Sequence, residues 1–537
     1  MKVAFSGQMK EIDRLTIEEI GIPGVVLMEN AGREVVSALA DRFDDLHTCR
    51  VIVCVGPGNN GGDGFVIARH LWNRGADVLI RAVQSDRAIS GDANIHAQVC
   101  RNMGIPMETI SDIDDIRNLD SVLHDSDIII DALFGTGLKT AVTGLYARVI
   151  TSINDSDAFV VSVDIPSGLA ADSSRLTGPV VSADLTVTFG LPKPALVLYP
   201  AAHTAGHVVV ADISIPDTVI DSVNLTGDIL TPYHFPAFFT PRPLDAHKGR
   251  LGHLLVIAGS PGKTGAAILA TRAAARSGTG LVSAAVPGPL NSILESSLIE
   301  PMTIPLPGPS SVFHPDHIPH LKQALIGKSS VLIGPGIGTD PLTAEFLKLF
   351  LPLVDVPLIL DADALNIMAS SSGPWQSPRG PRILTPHPGE FSRLTDHPVD
   401  VLLDDPLDIV TDYAVTNQCI LVFKTARTVI AHPDGRFLIN AVGNPGLATG
   451  GSGDILSGLI AGLAARMLLP DQAVSAGVFW HGLAADRTAS IRGQEEMLAG
   501  DILDHLAEAR HVMTDHPEIF NGTMIPYPDI DSFLDYP

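Results

Sequence analysis

Basic residues are scarce in this chain: 35 Lys and Arg stand against 60 Asp and Glu, a formal net charge of -25. Such a balance excludes nucleic acid and an anionic membrane surface as partners. It leaves phosphorylated small molecules open, because main-chain N–H groups bind phosphate without net positive charge. Aromatics are rare too, at 5%, so cores must be built from Ala, Val, Leu and Ile within an apolar fraction of 45%. The cysteines Cys49, Cys54, Cys100 and Cys419 show no CxxC spacing and no histidine at metal-ligand spacing. They read as small buried hydrophobes, and a reduced cytoplasm is the expected setting. The opening stretch MKVAFSGQMKEIDRLTIEEI lacks an apolar h-region, so no signal peptide is expected. Long hydrophobic runs are absent as well: the apolar stretch after Asp454 meets Arg466 too soon to span a bilayer. No low-complexity tract and no short-period repeat is present.

What is present is a repeated alternation. Short apolar runs that end in glycine or aspartate (VIVCV, DVLIRAV, DIIIDALFG, FVVSVDIPSG and LTVTFG) are separated by helical stretches. Buried parallel strands read this way, and the alternation predicts a doubly wound α/β sheet. The pattern breaks where prolines accumulate, and a second series begins with HLLVIAGS, GLVSAAVP, SSVLIGPGIG, PLILDADAL, RILTPHPGE and CILVFKTARTVIA. The 537 residues exceed one ordinary core, and two α/β domains are expected: residues 1–216, a linker at 217–245, residues 246–512, and a loose tail at 513–537.

In the first domain the stretch GPGNNGGDGFVIARHLW feeds a buried strand into a Gly/Asn loop and then a helix. A helix N-terminus at a strand's carboxyl end favours phosphate. Two more strands end on Asp131 and Asp164, the latter followed by Ser167. Parallel strands put these ends on one edge, so Asn60, Asp131, Asp164 and Ser167 converge in this reading. Asn60, Asp131 and Ser167 offer hard oxygen ligands to a cation, and Asp164 is left free as an acid or base. Taken singly, each aspartate reads as a cap. Together with MENAGR, GPGNNGGDG, DALFGTGL, VDIPSGL and TFGLPKPAL, residues 1–215 resemble the NAD(P)H-hydrate epimerases. The resemblance implies a Rossmann-like fold that interconverts the R and S hydrates of NADH and NADPH. It places Asn59, Asn60, Gly61, Gly62 and Asp63 against the hydrate, with Gly135, Thr136, Gly137, Leu138, Lys139, Thr140 and Ala141. It also implies a potassium ion on Asn60, Asp131 and Ser167, and Asp164 at the reacting nicotinamide.

In the second domain ATGGSGDILSG sets glycine amides at a helix start with Asp454 in the first turn. This is an anion hole beside a general base, as phosphoryl transfer requires. The competing reading is a capped core helix whose glycines allow close packing. VFKTARTVIA interrupts a strand with polar residues, which suits a nucleotide contact or a hairpin turn, and TPHPGEF sets His387 and Glu390 just after a strand. With GKTGAAILA, GPGIG, DADALN, LTPHPGE, FKTARTVI and NPGLATGGSGDILSG, residues 240–510 resemble the ADP- or ATP-dependent NAD(P)H-hydrate dehydratases of the ribokinase-like superfamily. The resemblance implies that Ala266, Gly338, His387 and Asp454 contact the hydrate, and that Lys424, Thr425, Ala426, Arg427, Thr428 and Gly453 contact the nucleotide. Two positions depart from the family pattern: Lys263 stands where a tyrosine is common, and Thr425 follows Lys424 where a glycine is common.

The expected whole is a bifunctional metabolite-repair enzyme, a homo-oligomer acting on NADHX and NADPHX with ADP or ATP, Mg2+ and K+. A ribokinase-like small-molecule kinase with a regulatory first domain uses the same GGSGD chemistry and is the alternative.

Overall fold

The computed structural model describes residues 1–84, 89–370, 379–466, 468–521 and 524–525. The chain divides into two compact units, Met1–Gly227 and, from Asp228, a second that runs to Asn521. Each is a parallel sheet with helices, the α/β architecture expected from the strand spacing.

The sheet of the first unit has the spatial order Met524–Ile525, His207–Ala211, Leu185–Phe189, Phe159–Val163, Ile128–Ala132, Arg50–Val55, Asp77–Val83, Met107–Ile110. All pairs are parallel except the one formed by Met524–Ile525. The side-chain period of two splits the central strand between two cores: Val51, Val53 and Val55 face one, Ile52 and Cys54 the other. Burial on both faces is why the strand reads as one unbroken apolar run. Chain order reverses between Arg50–Val55 and Ile128–Ala132, and a crevice opens at such a switch point. The register sets Cys54 opposite Asp131, and Asp131 opposite Ser162.

In the second unit the strands run Phe437–Ile439, Val429–Ala431, Ile420–Phe423, Arg382–Leu384, Leu358–Leu360, Ser330–Ile333, His253–Ile257, Leu281–Pro287, Met302–Leu306. Pairing is parallel from Ile420–Phe423 onward and antiparallel in the two hairpin strands before it. The core combines alanine-rich helices Thr264–Arg276 and Ser452–Ala465 with Pro470–Arg492 and Ala499–Asp515. Small residues let two of these helices touch backbone to backbone. A Cβ on Gly458 would lie 2.2 Å from the Ala270 carbonyl oxygen, and one on Gly462 would lie 2.2 Å from Ser277 Oγ. Strands Met107–Ile110, His207–Ala211, Met302–Leu306 and Phe437–Ile439 were not expected. They are short, and the first and third are edge strands with weak apolar patterning.

Residues 217–245 are more than a tether. They carry the helix Asp217–Ser222 and the strand Gly227–Ile229, and Phe235 and Phe238 are fully buried in the second core. Phe235 packs on Phe479, and Phe238 on Trp480, at ring-centroid distances of 5.8 and 5.2 Å. Side-chain anchoring of this kind leaves no periodic signature. Beyond Val512, where a loose tail was expected, Met513, Ile519 and Phe520 are buried in the same core. All four cysteines are buried and free, and no described helix is long and apolar enough to cross a membrane.

Gly458→Ala normally strengthens a helix. Here the added methyl meets a carbonyl, and a loss of about 1–3 kcal/mol is expected, read as a lower thermal midpoint. Gly500→Ala, where nothing lies within 4 Å of the new Cβ, is expected to leave the midpoint unchanged or raised.

Candidate active sites

In the first unit, Gly56, Pro57 and Gly58 lead from Arg50–Val55 into the helix Asn59–Asn73, whose first-turn amides face the crevice edge. Close approach explains several glycines. A Cβ on Gly61 would sit 1.9 Å from the Gly56 carbonyl, and one on Gly62 would sit 2.5 Å from Met28 Sδ. Their side-chain positions therefore serve packing, and only their amides remain for a ligand. Asn59 is exposed, whereas Asn60 and Asp63 are buried. In the loop after Ala132, Gly135, Thr136 and Leu138 are half-buried, and Gly137, Lys139, Thr140 and Ala141 are exposed. Gly135 lies against the Asn60 side chain, with its ideal Cβ 3.5 Å from Asn60 Oδ1.

Asp131 is fully buried. Its Oδ2 accepts from Ser162 Oγ and from the Ser167 amide, each at 2.8 Å. Ser167 Oγ accepts from the Phe134 amide at 2.9 Å and donates to the Phe134 carbonyl at 3.3 Å. Asn60, Asp131 and Ser167 are thus linked through the 134–135 turn. Burial raises the Asp131 pKa against the pull of its hydrogen bonds, and no Lys or Arg among the described residues is bonded to it.

Asp164 is not the free carboxylate expected from the sequence. Its Oδ1 accepts from Lys193 Nζ at 2.6 Å and from Thr188 Oγ1 at 3.2 Å. Lys193 is 1% exposed and also donates to Thr188 Oγ1 at 2.9 Å. Asp164 adopts φ 67°, a left-handed conformation that non-glycine residues hold at a cost of about 1–3 kcal/mol, characteristically at functional sites. Two further carboxylates share this environment. Burial lifts Asp63 well above its ordinary value, and the Asp164 and Asp13 charges add to the shift. Burial likewise lifts Asp13 to about 6, against the attraction of Lys193. Lys193 and Asp13 were missed in the sequence. The lysine lay inside the quoted TFGLPKPAL stretch, whereas nothing local marks Asp13 on the helix Ser6–Arg14.

In the second unit the site again lies past the carboxyl ends of parallel strands. Gly451, at φ 100°, caps the helix Ser452–Ala465, and Asp454 stands in its first turn. Lys424 follows the strand Ile420–Phe423, and its Nζ lies 3.2 Å from where a Cβ on Gly453 would be. Lys424 Nζ donates to Asp361 Oδ1 at 2.9 Å. Burial works against the lysine's charge, but Asp361, Glu390 and Asp454 outweigh it and raise its pKa. Asp363 Oδ2 accepts from Lys263 Nζ at 2.8 Å and from the Gly338 amide at 2.9 Å. The departure at position 263 is therefore an ion pair at the cleft, beside Gly336 and Ala266. Ala362, at φ 49°, turns the chain between the two aspartates. Asp361 and Asp363 lay in the quoted DADALN stretch without an assigned role. Burial first, then the charge of Asp361, with Asp363 and Glu390 adding, pushes Asp454 up to about 7 against the pull of Lys424.

The remaining expected residues divide. His387 is the N-cap of the helix Pro388–Thr395: its Nδ1 accepts from the Gly389 amide at 3.0 Å, and burial lowers its pKa. Positions 424–428 form the turn between the antiparallel strands Ile420–Phe423 and Val429–Ala431. Thr425 Oγ1 donates to the Arg427 carbonyl at 2.7 Å, Thr428 Oγ1 to the Thr425 carbonyl at 3.3 Å, and Ala426 is exposed. Arg427 is buried and turned to the Ala441 carbonyl, so its guanidinium supports the neighbouring loop.

Comparison with known proteins follows the same division. Residues 254–508 match the profile of the NAD(P)H-hydrate dehydratase family, and residues 24–195 match that of the YjeF-related protein N-terminus. The bifunctional NAD(P)H-hydrate repair enzyme Nnr of Moorella thermoacetica is 42% identical over 508 residues, covering 94% of this chain and 96% of that protein. Its counterpart in Thermofilum pendens is 37% identical, covering 95% and 96%. A crystal structure of the ADP/ATP-dependent NAD(P)H-hydrate dehydratase of Bacillus subtilis, co-crystallised with ATP/Mg2+, is 31% identical over 52% of this chain and 97% of its own, with a TM-score of 0.46. With relatives of this identity along nearly its full length and both profiles in order, the chain belongs to the family of bifunctional NAD(P)H-hydrate repair enzymes.

Proposed function

We propose that the two strand-end clefts perform the two reactions of NAD(P)H-hydrate repair: the first unit equilibrates the R and S hydrates, and the second dehydrates the S hydrate at the expense of ADP or ATP. One observation carries the second assignment. Asp454, in the first turn of a glycine-capped helix, has its pKa pushed up to about 7 by burial and neighbouring carboxylates, with the Lys424 ammonium beside that turn. A base with a pKa close to the working pH accepts a proton best.

Asp454 takes the proton of the C6 hydroxyl, whose oxygen attacks the terminal phosphorus of the nucleotide. The bond to the departing AMP or ADP breaks, and the amides around Gly451–Gly453, with Lys424, hold the charge on the transferred group. The ring nitrogen then expels phosphate from C6, and loss of a C5 proton restores the dihydronicotinamide. Mg2+ bound with the nucleotide would screen its phosphates. A kinase with the same machinery keeps the phosphate on its product. The presence of an N-terminal domain with its own charged cleft favours repair over that alternative.

In the first cleft, Asp164 and Lys193 form a buried pair at the end of Phe159–Val163, and Asp63 and Asp13 supply raised-pKa carboxyls able to hold a proton. This set suits proton movement at the C6 oxygen during epimerisation. Asp131, buried and without a bonded cation among the described residues, linked to Ser167 and, through the 134–135 turn, to the Phe134 carbonyl and the Asn60 amide, fits a potassium ion. Potassium would neutralise the carboxylate and hold the 134–135 turn in place.

Asp454→Asn is expected to abolish nucleotide-driven recovery of dihydronicotinamide absorbance while epimerisation persists. The wild-type dehydration rate should climb with pH up to about 7. Because the folded pKa of about 7 exceeds the ordinary 3.8, ionising Asp454 weakens the fold as pH rises between those values. The Asn variant should therefore melt above wild type at about pH 8 and level with it at about pH 4. Asp164→Asn and Lys193→Gln should each leave half of a racemic hydrate mixture unrepaired with dehydration intact. Loss of both activities in all three variants overturns the two-site reading. Potassium should raise the wild-type melting temperature, and Asp131→Asn should erase that increment.

A further inference from the structure

Two arginines of the second unit, Arg242 and Arg466, meet at the far end of the helix that carries Asp454, and a third, Arg510, is close enough to feel their charge. Arg466 closes that helix and donates through Nη1 to the Ser277 carbonyl at 2.9 Å. Arg242 donates through Nη2 to the Gly278 carbonyl at 2.9 Å. Both reach one point: a Cβ on Gly278 would lie 2.7 Å from Arg242 Nη2 and 3.4 Å from Arg466 Nη1. Arg510 donates through Nη2 to the Phe238 carbonyl at 3.0 Å and lies 4.5 Å over the Phe238 ring. Among the described residues no carboxylate pairs with any of the three. The nearby acid Asp245 faces Arg250 instead, at 3.4 Å. The cations feel one another: burial and the Arg510 and Arg242 charges lower Arg466 to about 10, and burial and Arg242 lower Arg510.

Helix capping accounts for part of this. Thr264–Arg276 and Ser452–Ala465 run in the same direction, since Gly458 meets Ala270 and Gly462 meets Ser277, so their carboxyl ends lie together. Each end carries about half a negative charge, roughly one unit in all. Three guanidiniums leave about two positive charges uncompensated in a chain whose net charge is -25. Each guanidinium has five N–H donors, and the carbonyl bonds given above engage one apiece. Arg242 is exposed, so the group opens to solvent.

We propose that Arg242, Arg466 and Arg510 form a second anion site, remote from Asp454, that binds an oligophosphate: inorganic pyrophosphate or the diphosphate of a nucleotide. Planar guanidiniums match phosphate oxygens in pairs, and a dianion or trianion balances the surplus charge.

The test is calorimetric titration of the full chain with pyrophosphate and, separately, with ADP. Lys424→Met serves to weaken the transfer cleft, and Arg242→Ala combined with Arg510→Gln to weaken the arginine group. Binding is expected to persist in Lys424→Met and, in that background, to fall by about tenfold or more when the arginine changes are added. The ligand that shows this dependence identifies the source of the phosphates. The arginine variant should retain the wild-type melting temperature or exceed it, since repulsion is relieved, and should keep the wild-type KM for the nucleotide. Arg466→Met offers an independent variant with the same expected loss. Pyrophosphate and ADP binding that vanishes in Lys424→Met, or that is unchanged in both arginine variants, overturns the proposal.

Discussion

A carboxylate withdrawn from water at the end of a parallel strand must find a cation or keep its proton. Both units are organised around that demand, with lysines in each taking part of it. Lys193 serves Asp164, and Lys424 serves Asp361. Lys263 also pairs with Asp363 in the second, and each cleft still holds more acids than lysines. Burial, with like charge adding, lifts Asp63 well above its ordinary value and Asp13 to about 6 in one, and Asp454 to about 7 in the other. The reactivity of these groups therefore comes first from burial and then from crowding of like charge, tempered by the lysines beside them.

The scaffold makes the crowding possible. Parallel strands bring their carboxyl ends to one edge, so acids far apart in the chain, such as Asp13, Asp63 and Asp164, meet. Left-handed backbone at Asp164 and Ala362 lies at these strand ends. The packed helices beneath hold them: the glycine spacing at 458 and 462 locks Ser452–Ala465 onto Thr264–Arg276 and so fixes the direction of the first turn. The helix-cap and close-packing reading of the GGSGD stretch is visible in the structure. Glycines before Asp454 shape the helix cap, and glycines after it serve packing.

Strand positions were legible because burial on both faces leaves an unbroken apolar run, and the Gly and Asp residues that end those runs mark the cleft. Edge strands such as Met302–Leu306 were not, since half-exposed strands with a proline carry little pattern. His387 shows a limit of another kind. Its place after a strand suggests a ligand contact, yet the same place is a helix N-cap, and the ring accepts from Gly389. Arg427 sits among polar residues in the sequence, but the hairpin twists it inward to Ala441.

By itself the sequence determined the α/β class, the two-part organisation and the strand-end loops, because periodicity and glycine placement act over a few residues. It also marked Asp131, Asp164 and Asp454, each next to a glycine-rich turn. Tertiary structure alone decided who neutralises whom. The pairing of Asp164 with Lys193, the joining of Asp131 to Ser167 and Asn60, and the gathering of Arg242, Arg466 and Arg510 depend on distances between side chains remote along the chain. Electrostatic energy falls with separation in space and is indifferent to separation in sequence, so no local pattern could carry it.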